Sequence, residues 1–152
     1  MHLEPLSPKH YPDLHTICTI TDTWVYCTTQ EFIDEFSQYG GWVVVDDTTV
    51  VGYIILSGHI PYFDVAVHCS VLPRYHSRWM TRKIYKTVFN HIFDELKLPR
   101  CSSWLFEGYS NPVFLERLGF KKEGTRRNGY VVGKDWVDVQ MYGMLPDERR
   151  WK

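Results

Sequence analysis

The stretch FLERLGFKKEGTRRNGYVVGKDWVDVQMYGML, residues 114–145, contains three folding signals in close succession. An Asn-Pro pair just ahead of it is typical of a helix start, which predicts a short helix over 111–117. Gly119 follows where a left-handed cap is expected, because glycine adopts positive φ without a Cβ clash. The β-branched and aromatic residues beyond it predict a hairpin that turns near 133–134. A helix, a glycine cap and an antiparallel hairpin are therefore expected to close the chain.

The N-terminal part of the sequence predicts one strand and two helices. The segment HLEPL reads as a short strand, and Ser7 before a proline is a good N-cap for a helix over 8–18. Thr28 and Glu31 have the spacing of a capping box, which predicts a second short helix ending near Gln38.

Three β-rich runs and a long helix occupy the middle of the chain. The runs lie in WVVVDDTTVVGYIILSG and YFDVAVHCSVL, with a hairpin expected around Asp46 and Asp47. Apolar residues at helical spacing then predict the longest helix, beginning at Met80. SSWLFEG reads as a further strand. The order is β, α, α, three strands, α, β, α, β, β, which indicates a mixed α/β fold with one crossover helix.

Length and composition predict a single globular domain. The chain has 152 residues, of which 44% are hydrophobic and 23% charged, and one domain commonly needs about 100–200 residues. No apolar run reaches the ~18 residues of a membrane span, and the N-terminus lacks a signal-peptide pattern, so we expect an intracellular protein. Four scattered cysteines form no C-x-x-C pair, which argues against a zinc or disulfide framework.

A basic segment without glycine, RYHSRWMTRK (residues 74–83), lies between the third β-rich run and the long helix. The formal net charge is only −1, so attraction to an anion has to come from a local cluster such as this one. Cations at a helix start oppose the helix dipole, and a bound anion would relieve them. The alternative is a solvated face, or a contact surface for another protein or nucleic acid, with Trp79 as its packing anchor.

The element order and the stretch 114–145 resemble the GNAT superfamily of N-acetyltransferases. The Leu-Gly-Phe helix end, the following Glu-Gly and the hairpin are similar to the ribosomal-protein acetyltransferase branch. The closing YGMLPDERRW and the tryptophan in SRWMTR resemble GNAT-like proteins that tailed bacteriophages encode. The resemblance covers nearly the whole chain. It implies one GNAT-like acyltransferase domain over 1–152, with a twisted, mostly antiparallel sheet of about seven strands flanked by about four helices.

The resemblance also implies acetyl-CoA as cofactor. In the family, the loop after the fourth strand follows Gln/Arg-x-x-Gly-x-Gly/Ala, and its amides and the helix N-terminus hold a pyrophosphate. Here His76 stands at the Gln/Arg position, Trp79 at the first glycine and Thr81 at the second. Arginine and lysine side chains could replace the amide contacts, since arginine binds phosphate in a bidentate way. The residues implied in cofactor binding are Val71, Arg74, His76, Arg78, Trp79, Met80, Thr81 and Arg82.

The resemblance further implies a base and an acid, and three residues are candidates. The family commonly has a tyrosine on the helix before Leu-Gly-Phe, but Leu115 stands at that position and cannot donate a proton. Tyr109 could substitute as the acid, and Glu107 near the strand end could be the base. His68 on the fourth strand is the other candidate base, although a lone histidine in an apolar strand is more often structural.

Two hypotheses of different classes follow. The first is an acetyl-CoA-dependent N-acetyltransferase acting on an unidentified amine, with a degenerate cofactor loop, in the cytoplasm of a bacterial host cell. The second is a non-enzymatic protein that keeps the GNAT fold and serves as a structural or assembly component of a phage particle, contacting other virion proteins. Fold alone does not decide between them. Neither implies a metal or a membrane, and a homo-oligomer is compatible with both.

Overall fold

Residues 1–21 and 29–152 are described by a computed structural model. The strands are β1 (His2–Pro5), β2 (Gly40–Asp46), β3 (Thr49–Ile60), β4 (Asp64–Val71), β5 (Cys101–Phe106), β6 (Lys121–Val132) and β7 (Asp135–Met144). The α-helices are α1 (Tyr11–Ile20), α2 (Thr29–Phe36), α3 (Arg82–Asn90) and α4 (Val113–Leu118). Short 3₁₀ turns cover Pro8–His10, Pro73–Tyr75 and Pro146–Glu148, and α3 continues as a π-helical turn over His91–Glu95.

The seven strands form one sheet in the order β1-β2-β3-β4-β5-β7-β6. The pairs β1–β2, β2–β3, β5–β7 and β6–β7 are antiparallel, whereas β4 and β5 pair in parallel with Ala66 opposite Ser102. Parallel neighbours need a long crossover connection, which α3 supplies between β4 and β5. The predicted mixed α/β fold, with seven strands and four helices, is confirmed.

The chain divides into two compact units, residues 1–57 with 67–85 and residues 58–66 with 86–152. In the first unit, α1 and α2 pack their apolar faces against β2 and β3. The fully buried members of this core are Leu14, Ile17, Phe32, Phe36, Val43, Tyr53 and Ile55. Each such side chain contributes roughly 1.5–3 kcal/mol when it leaves water, so these contacts hold the two short helices in place.

The second unit contains the end of α4, where the chain reverses into β6. Gly119 takes φ +112, its amide donates to the Glu116 carbonyl at 3.1 Å, and the Phe120 amide donates to the Leu115 carbonyl at 3.1 Å. This pair of bonds is the Schellman arrangement that satisfies the last carbonyls of a helix. Phe120 then packs edge-on against Phe89, with ring centroids 6.0 Å apart. The Leu-Gly-Phe sequence thus joins a helix stop to a core contact.

The C-terminal segment is held to the rest of the second unit by a partly buried arginine. The Arg149 side chain, only 11% exposed, donates to both Asp94 carboxylate oxygens at 2.9 and 3.2 Å and to the Asn90 side-chain oxygen at 3.2 Å. Its guanidinium also lies 5.3 Å from the centre of the Phe93 ring. A bidentate pair of this kind is geometrically specific. The PDERRW ending therefore has a structural role, fixing the chain beside the end of α3.

Several boundaries differ from the sequence predictions. Helix α3 begins at Arg82 instead of Met80, because Thr81 caps it. Helix α2 ends at Phe36, two residues before Gln38. Strand β6 begins at Lys121, well before the predicted hairpin. The sequence pattern missed this first part because most of the strand is exposed and therefore shows no apolar alternation. The predicted capping box cannot be compared, since Thr28 lies outside the described residues.

No helix within the described ranges is long and apolar enough to cross a membrane.

Replacing Gly119 with alanine is expected to destabilise the protein. The new Cβ would lie 2.4 Å from the Glu148 carbonyl oxygen, at a backbone φ of +112 that side chains rarely adopt. Such strain alone costs about 1–3 kcal/mol. Gly124→Ala is the matched control, because a Cβ there meets nothing within 4 Å. Thermal unfolding should show a clear drop in Tm for Gly119→Ala and little change for Gly124→Ala; equal Tm values would contradict the close approach.

Candidate functional site

The residues expected to bind a cofactor extend from Val71, the last residue of β4, through the β4–α3 turn to Arg82, the first residue of α3. Strand β4 ends at the buried Val71, and a 3₁₀ turn over Pro73–Tyr75 follows. Thr81 is the N-cap of α3, since its hydroxyl accepts a hydrogen bond from the Ile84 amide at 3.2 Å. The position where the family has its second glycine is therefore occupied by a capping threonine.

Five backbone amides of this turn donate to carbonyl oxygens of the same segment. The bonds run from Tyr75 to Leu72, from His76 to Pro73, from Arg78 and Trp79 to Tyr75, and from Thr81 to Trp79, at 2.9–3.2 Å. The amides at all three positions that the family's loop pattern specifies are among them. An anion bound by these amides would have to displace internal hydrogen bonds, each contributing about 0.5–1.5 kcal/mol.

The side chains of His76 and Trp79 stabilise the observed conformation of the turn. The His76 ring nitrogen Nε2 lies 3.1 Å from the Val71 carbonyl oxygen, which ties the turn back to the end of β4. Trp79 is only 3% exposed, so its ring has turned inward instead of lying across the surface. Met80 next to it is partly buried, and Ile84 and Tyr85 continue the buried surface into α3. Trp79 is thus a packing residue at a position where the family has glycine.

The cations of the turn remain on its surface. Arg74, Arg78 and Arg82 are exposed, and none of them forms an ion pair with any residue of the ranges 1–21 and 29–152. The guanidinium carbons of Arg74 and Arg78 lie 4.9 and 5.1 Å from the centre of the same ring, that of Tyr75. Lys83 is exposed and Lys86 partly buried in the first turns of α3. Arg74, Arg78 and Arg82 therefore present positive charge at the surface without an ion-pair partner among the described residues.

Sequence reasoning missed Tyr75, whose ring is 6% exposed and lies beneath both arginines. The available signal was the spacing, with one arginine just before the tyrosine and another three residues after it. In a 3₁₀ or helical turn, residues three apart lie on the same side. That spacing places Arg78 over Tyr75 while Arg74 approaches from the preceding residue.

His68, a candidate base, lies on β4 within the first unit. Its Nε2 is 3.0 Å from the Ser57 hydroxyl oxygen, and burial lowers the pKa of the imidazole from 6.5 to about 4. Desolvation disfavours the charged form, so the ring is neutral at physiological pH. A neutral histidine can accept a proton, but this environment does not favour the imidazolium that would result.

Glu107 and Tyr109, the other catalytic candidates, lie on one tight turn after β5 in the second unit. The Tyr109 amide donates to the Phe106 carbonyl at 3.1 Å, and Gly108 at the third turn position has φ +82, the pattern of a type II turn. Glu107 is exposed and Tyr109 is 55% exposed. Both groups are thus accessible on a defined turn. Leu115, at the position of the family's tyrosine, is 5% exposed and belongs to the core.

No group of three histidine, cysteine or carboxylate side chains suited to a metal ion occurs within residues 1–21 and 29–152.

Solved structures of acetyltransferases share this fold. A variant of the spermidine N-acetyltransferase SpeG from Vibrio cholerae matches 97% of this chain and 96% of its own, with TM-score 0.82 and 15% identity. The spermidine/spermine N-acetyltransferase SpeG from the same organism, in complex with manganese ions, matches 97% and 93%, with TM-score 0.76 and 16% identity. A GNAT-family acetyltransferase from Bacillus anthracis matches 95% and 94%, with TM-score 0.74 and 16% identity.

The chain therefore has the fold of the GNAT acetyltransferases. No protein-family model matches the sequence, and no curated protein matches it either. At this low identity, the likeness concerns the fold, and function has to be argued from the site.

Trp79→Ala is expected to lower stability by about 3 kcal/mol or more, because a large buried side chain is removed. It is also expected to leave acetyl-CoA affinity no higher, because removing the ring does not free the amides. Trp136→Ala on β7 is the matched control, since that ring is 66% exposed. Chemical denaturation of both variants checks this. A Trp79→Ala protein with wild-type stability and tighter binding would show that the indole obstructs a ligand instead of packing.

Lowering the pH from 6.5 to 4 is expected to destabilise the protein through His68. Between pH 6.5 and 4, His68 is protonated in the unfolded chain but stays neutral in the native state. The free energy of unfolding therefore falls as the pH falls, by up to about 3 kcal/mol. His68→Gln removes the group and should flatten this part of the pH dependence. Denaturant midpoints at pH 7, 6, 5 and 4 for both proteins provide the measurement. Parallel curves for the two proteins would mean that His68 titrates normally.

Proposed function

We propose that this chain is an acetyl-CoA-dependent N-acyltransferase, a single domain over 1–152 that acts on an amine in the bacterial cytoplasm. The observation that carries the proposal is a surface of three arginines at the β4–α3 turn of an acetyltransferase fold, and none of the three forms an ion pair with residues 1–21 or 29–152. An unpaired cationic cluster at a helix start is electrostatically unfavourable in isolation, and a polyphosphate ligand relieves it.

The side chains of the turn fit the cofactor's phosphates better than its backbone does. The amides at His76, Trp79 and Thr81 already donate internally, so they form no open cradle. Arg74, Arg78 and Arg82 present guanidinium groups that match phosphate oxygens in a bidentate geometry. We therefore assign the phosphate contacts to these three residues, with Val71 and Met80 beside them at the ends of the turn.

Acetyl-CoA supplies a thioester whose acetyl group passes to the amine, so that a C–N bond forms, the C–S bond breaks and the thiolate leaves. Glu107, exposed on its turn, is assigned to accept the proton that the amine nitrogen loses. Tyr109, exposed two residues later, is assigned to donate a proton to the departing sulfur. The neutral, partly buried His68 is better suited to a structural role with Ser57.

An amine acceptor is also consistent with the structural neighbours, two of which are named as acting on spermidine or on spermidine and spermine. A panel of polyamines, free lysine and N-terminal peptides, each with acetyl-CoA and a thiol-release assay, would define the acceptor class.

The assignment of Glu107 and Tyr109 predicts that Glu107→Gln and Tyr109→Phe lower kcat while leaving acetyl-CoA affinity unchanged.

A second candidate function is a non-enzymatic role in the assembly of a phage particle. The tip of the β3–β4 hairpin favours it, because Ile60, Tyr62 and Phe63 are 56%, 84% and 66% exposed. The Phe63 amide donates to the Ile60 carbonyl, and Tyr62 has φ +70, where a type II turn prefers glycine. A protein contact through these apolar side chains would account for a tyrosine at so unfavourable a position.

Calorimetric titration with acetyl-CoA separates the two candidates. The enzyme proposal predicts saturable binding, and no detectable binding at millimolar ligand would overturn it in favour of an assembly role.

Arg78→Ala and Arg82→Ala are each expected to weaken acetyl-CoA binding by about 10-fold to 100-fold, since a bond to a charged group is lost. The weakening should shrink as salt rises, because ions screen exposed charges. Arg127→Ala, an exposed arginine on β6, is the matched control and should bind as the wild type does. Unchanged affinity in Arg78→Ala and Arg82→Ala, or equal weakening in Arg127→Ala, would assign the basic cluster to another role.

A further inference from the structure

We infer that Tyr75 is a positioning residue that holds Arg74 and Arg78 as a two-guanidinium clamp for a diphosphate group. This inference deepens the proposed function and rests on the same turn. The clamp takes over the role of backbone amides, because those of His76, Trp79 and Thr81 already donate within the turn.

Tyr75 is suited to this role because its own position is fixed. Its side chain is 6% exposed, and its amide donates to the Leu72 carbonyl at 2.9 Å. Its carbonyl oxygen accepts from the amides of both Arg78 and Trp79, at 3.0 and 3.2 Å. The residue under the arginines is therefore anchored by its ring and by its backbone.

The Tyr75 ring locates both guanidinium groups. Their central carbons lie 4.9 and 5.1 Å from the ring centre, within the range of cation–π attraction. Because both guanidinium carbons are measured from the same ring centre, their separation cannot exceed twice the longer of the two distances. A diphosphate, with two phosphate groups joined by one oxygen, is a ligand of the right class to contact two such groups at once, each in a bidentate manner.

The electrostatics of the two guanidinium groups favour an anionic ligand. Two positive charges held against the same ring repel each other, and cation–π attraction at an exposed site contributes only about 0.5–1 kcal/mol for each. Within the part of the chain that the structure describes, neither Arg74 nor Arg78 has a carboxylate partner. By contrast, Arg100 and Arg149 are both paired with carboxylates. A bound diphosphate would supply negative charge to both guanidinium groups.

Holding the arginines in advance also explains how a loop without glycine can bind phosphate. A free arginine side chain loses up to about 2 kcal/mol of rotamer freedom when it is fixed on a ligand. The Tyr75 ring restricts both side chains beforehand, so less is lost on binding. The clamp thus combines charge with preorganisation.

The test is calorimetric titration of the full-length protein with inorganic pyrophosphate at low salt, in parallel with acetyl-CoA. Arg74→Ala and Arg78→Ala are each expected to weaken pyrophosphate binding about 10-fold. Tyr75→Leu, which keeps an apolar side chain but lacks a ring, should weaken it about 3-fold to 10-fold. Tyr75→Phe keeps the ring and should bind within about 2-fold of the wild type, as should the control Arg127→Ala.

A spectroscopic readout separates positioning from a merely structural effect. In the free protein, the Nε–H NMR signals of Arg74 and Arg78 should be shifted by the Tyr75 ring current. The shifts should persist in Tyr75→Phe and disappear in Tyr75→Leu. Random-coil Nε–H shifts in the wild type would overturn the clamp, and so would wild-type pyrophosphate affinity in both Arg74→Ala and Arg78→Ala. These two outcomes do not depend on whether Tyr75→Leu folds.

Failure of the clamp and failure of the proposed function give different results. Ring-dependent pyrophosphate binding without acetyl-CoA binding would reject the acyltransferase and keep the clamp. Acetyl-CoA binding that is unaffected by Tyr75→Leu and Arg74→Ala would keep the acyltransferase and reject the clamp.

Discussion

A buried tryptophan in place of a glycine constrains everything that the β4–α3 turn can do. The Trp79 ring is 3% exposed, and its amide, like those of Arg78 and Thr81, donates to a carbonyl of the same turn. A glycine at this position would let an anion approach the backbone closely. The buried indole instead packs the turn from within, and the arginine side chains lie outside it. Around it the turn carries exposed arginines, the Tyr75 ring against two of them and the capping Thr81.

The same logic of close approach explains the glycine that the chain keeps. Gly119 allows the Glu148 carbonyl to lie where a Cβ would otherwise be, at only 2.4 Å. Glu148 is in turn paired with Lys121, and its carboxylate accepts a hydrogen bond from the Leu145 amide at 2.9 Å. Together with Arg149 on Asp94, these contacts make the last residues of the chain part of the second unit's structure. Gly119 is thus required where the backbone of Glu148 packs directly against the backbone of the helix end.

The sequence predicted the fold well where burial creates a pattern. The apolar stripe of α3 and its π-helical continuation is buried as expected, including Ile84, Val88 and Ile92, and Gly119 has the predicted left-handed conformation. The pattern failed where burial is absent, as in the first half of β6, which is exposed and therefore lacks alternation. The apolar pattern also placed the start of α3 at Met80, two residues too early. An apolar side chain continues the stripe even where the backbone is not yet helical.

The site was less predictable than the fold, for a physical reason. The basic cluster was visible as composition, and the loss of glycine was visible as a broken pattern. Whether an amide points outward or bonds internally depends on turn conformation, which residue types specify only loosely. The most direct test of the account is amide hydrogen exchange of Tyr75, His76, Arg78, Trp79 and Thr81, measured with and without acetyl-CoA. The account predicts that these amides are protected in the free protein and that saturating acetyl-CoA leaves their protection unchanged, while amides that exchange freely alone and become protected only with acetyl-CoA would contradict it.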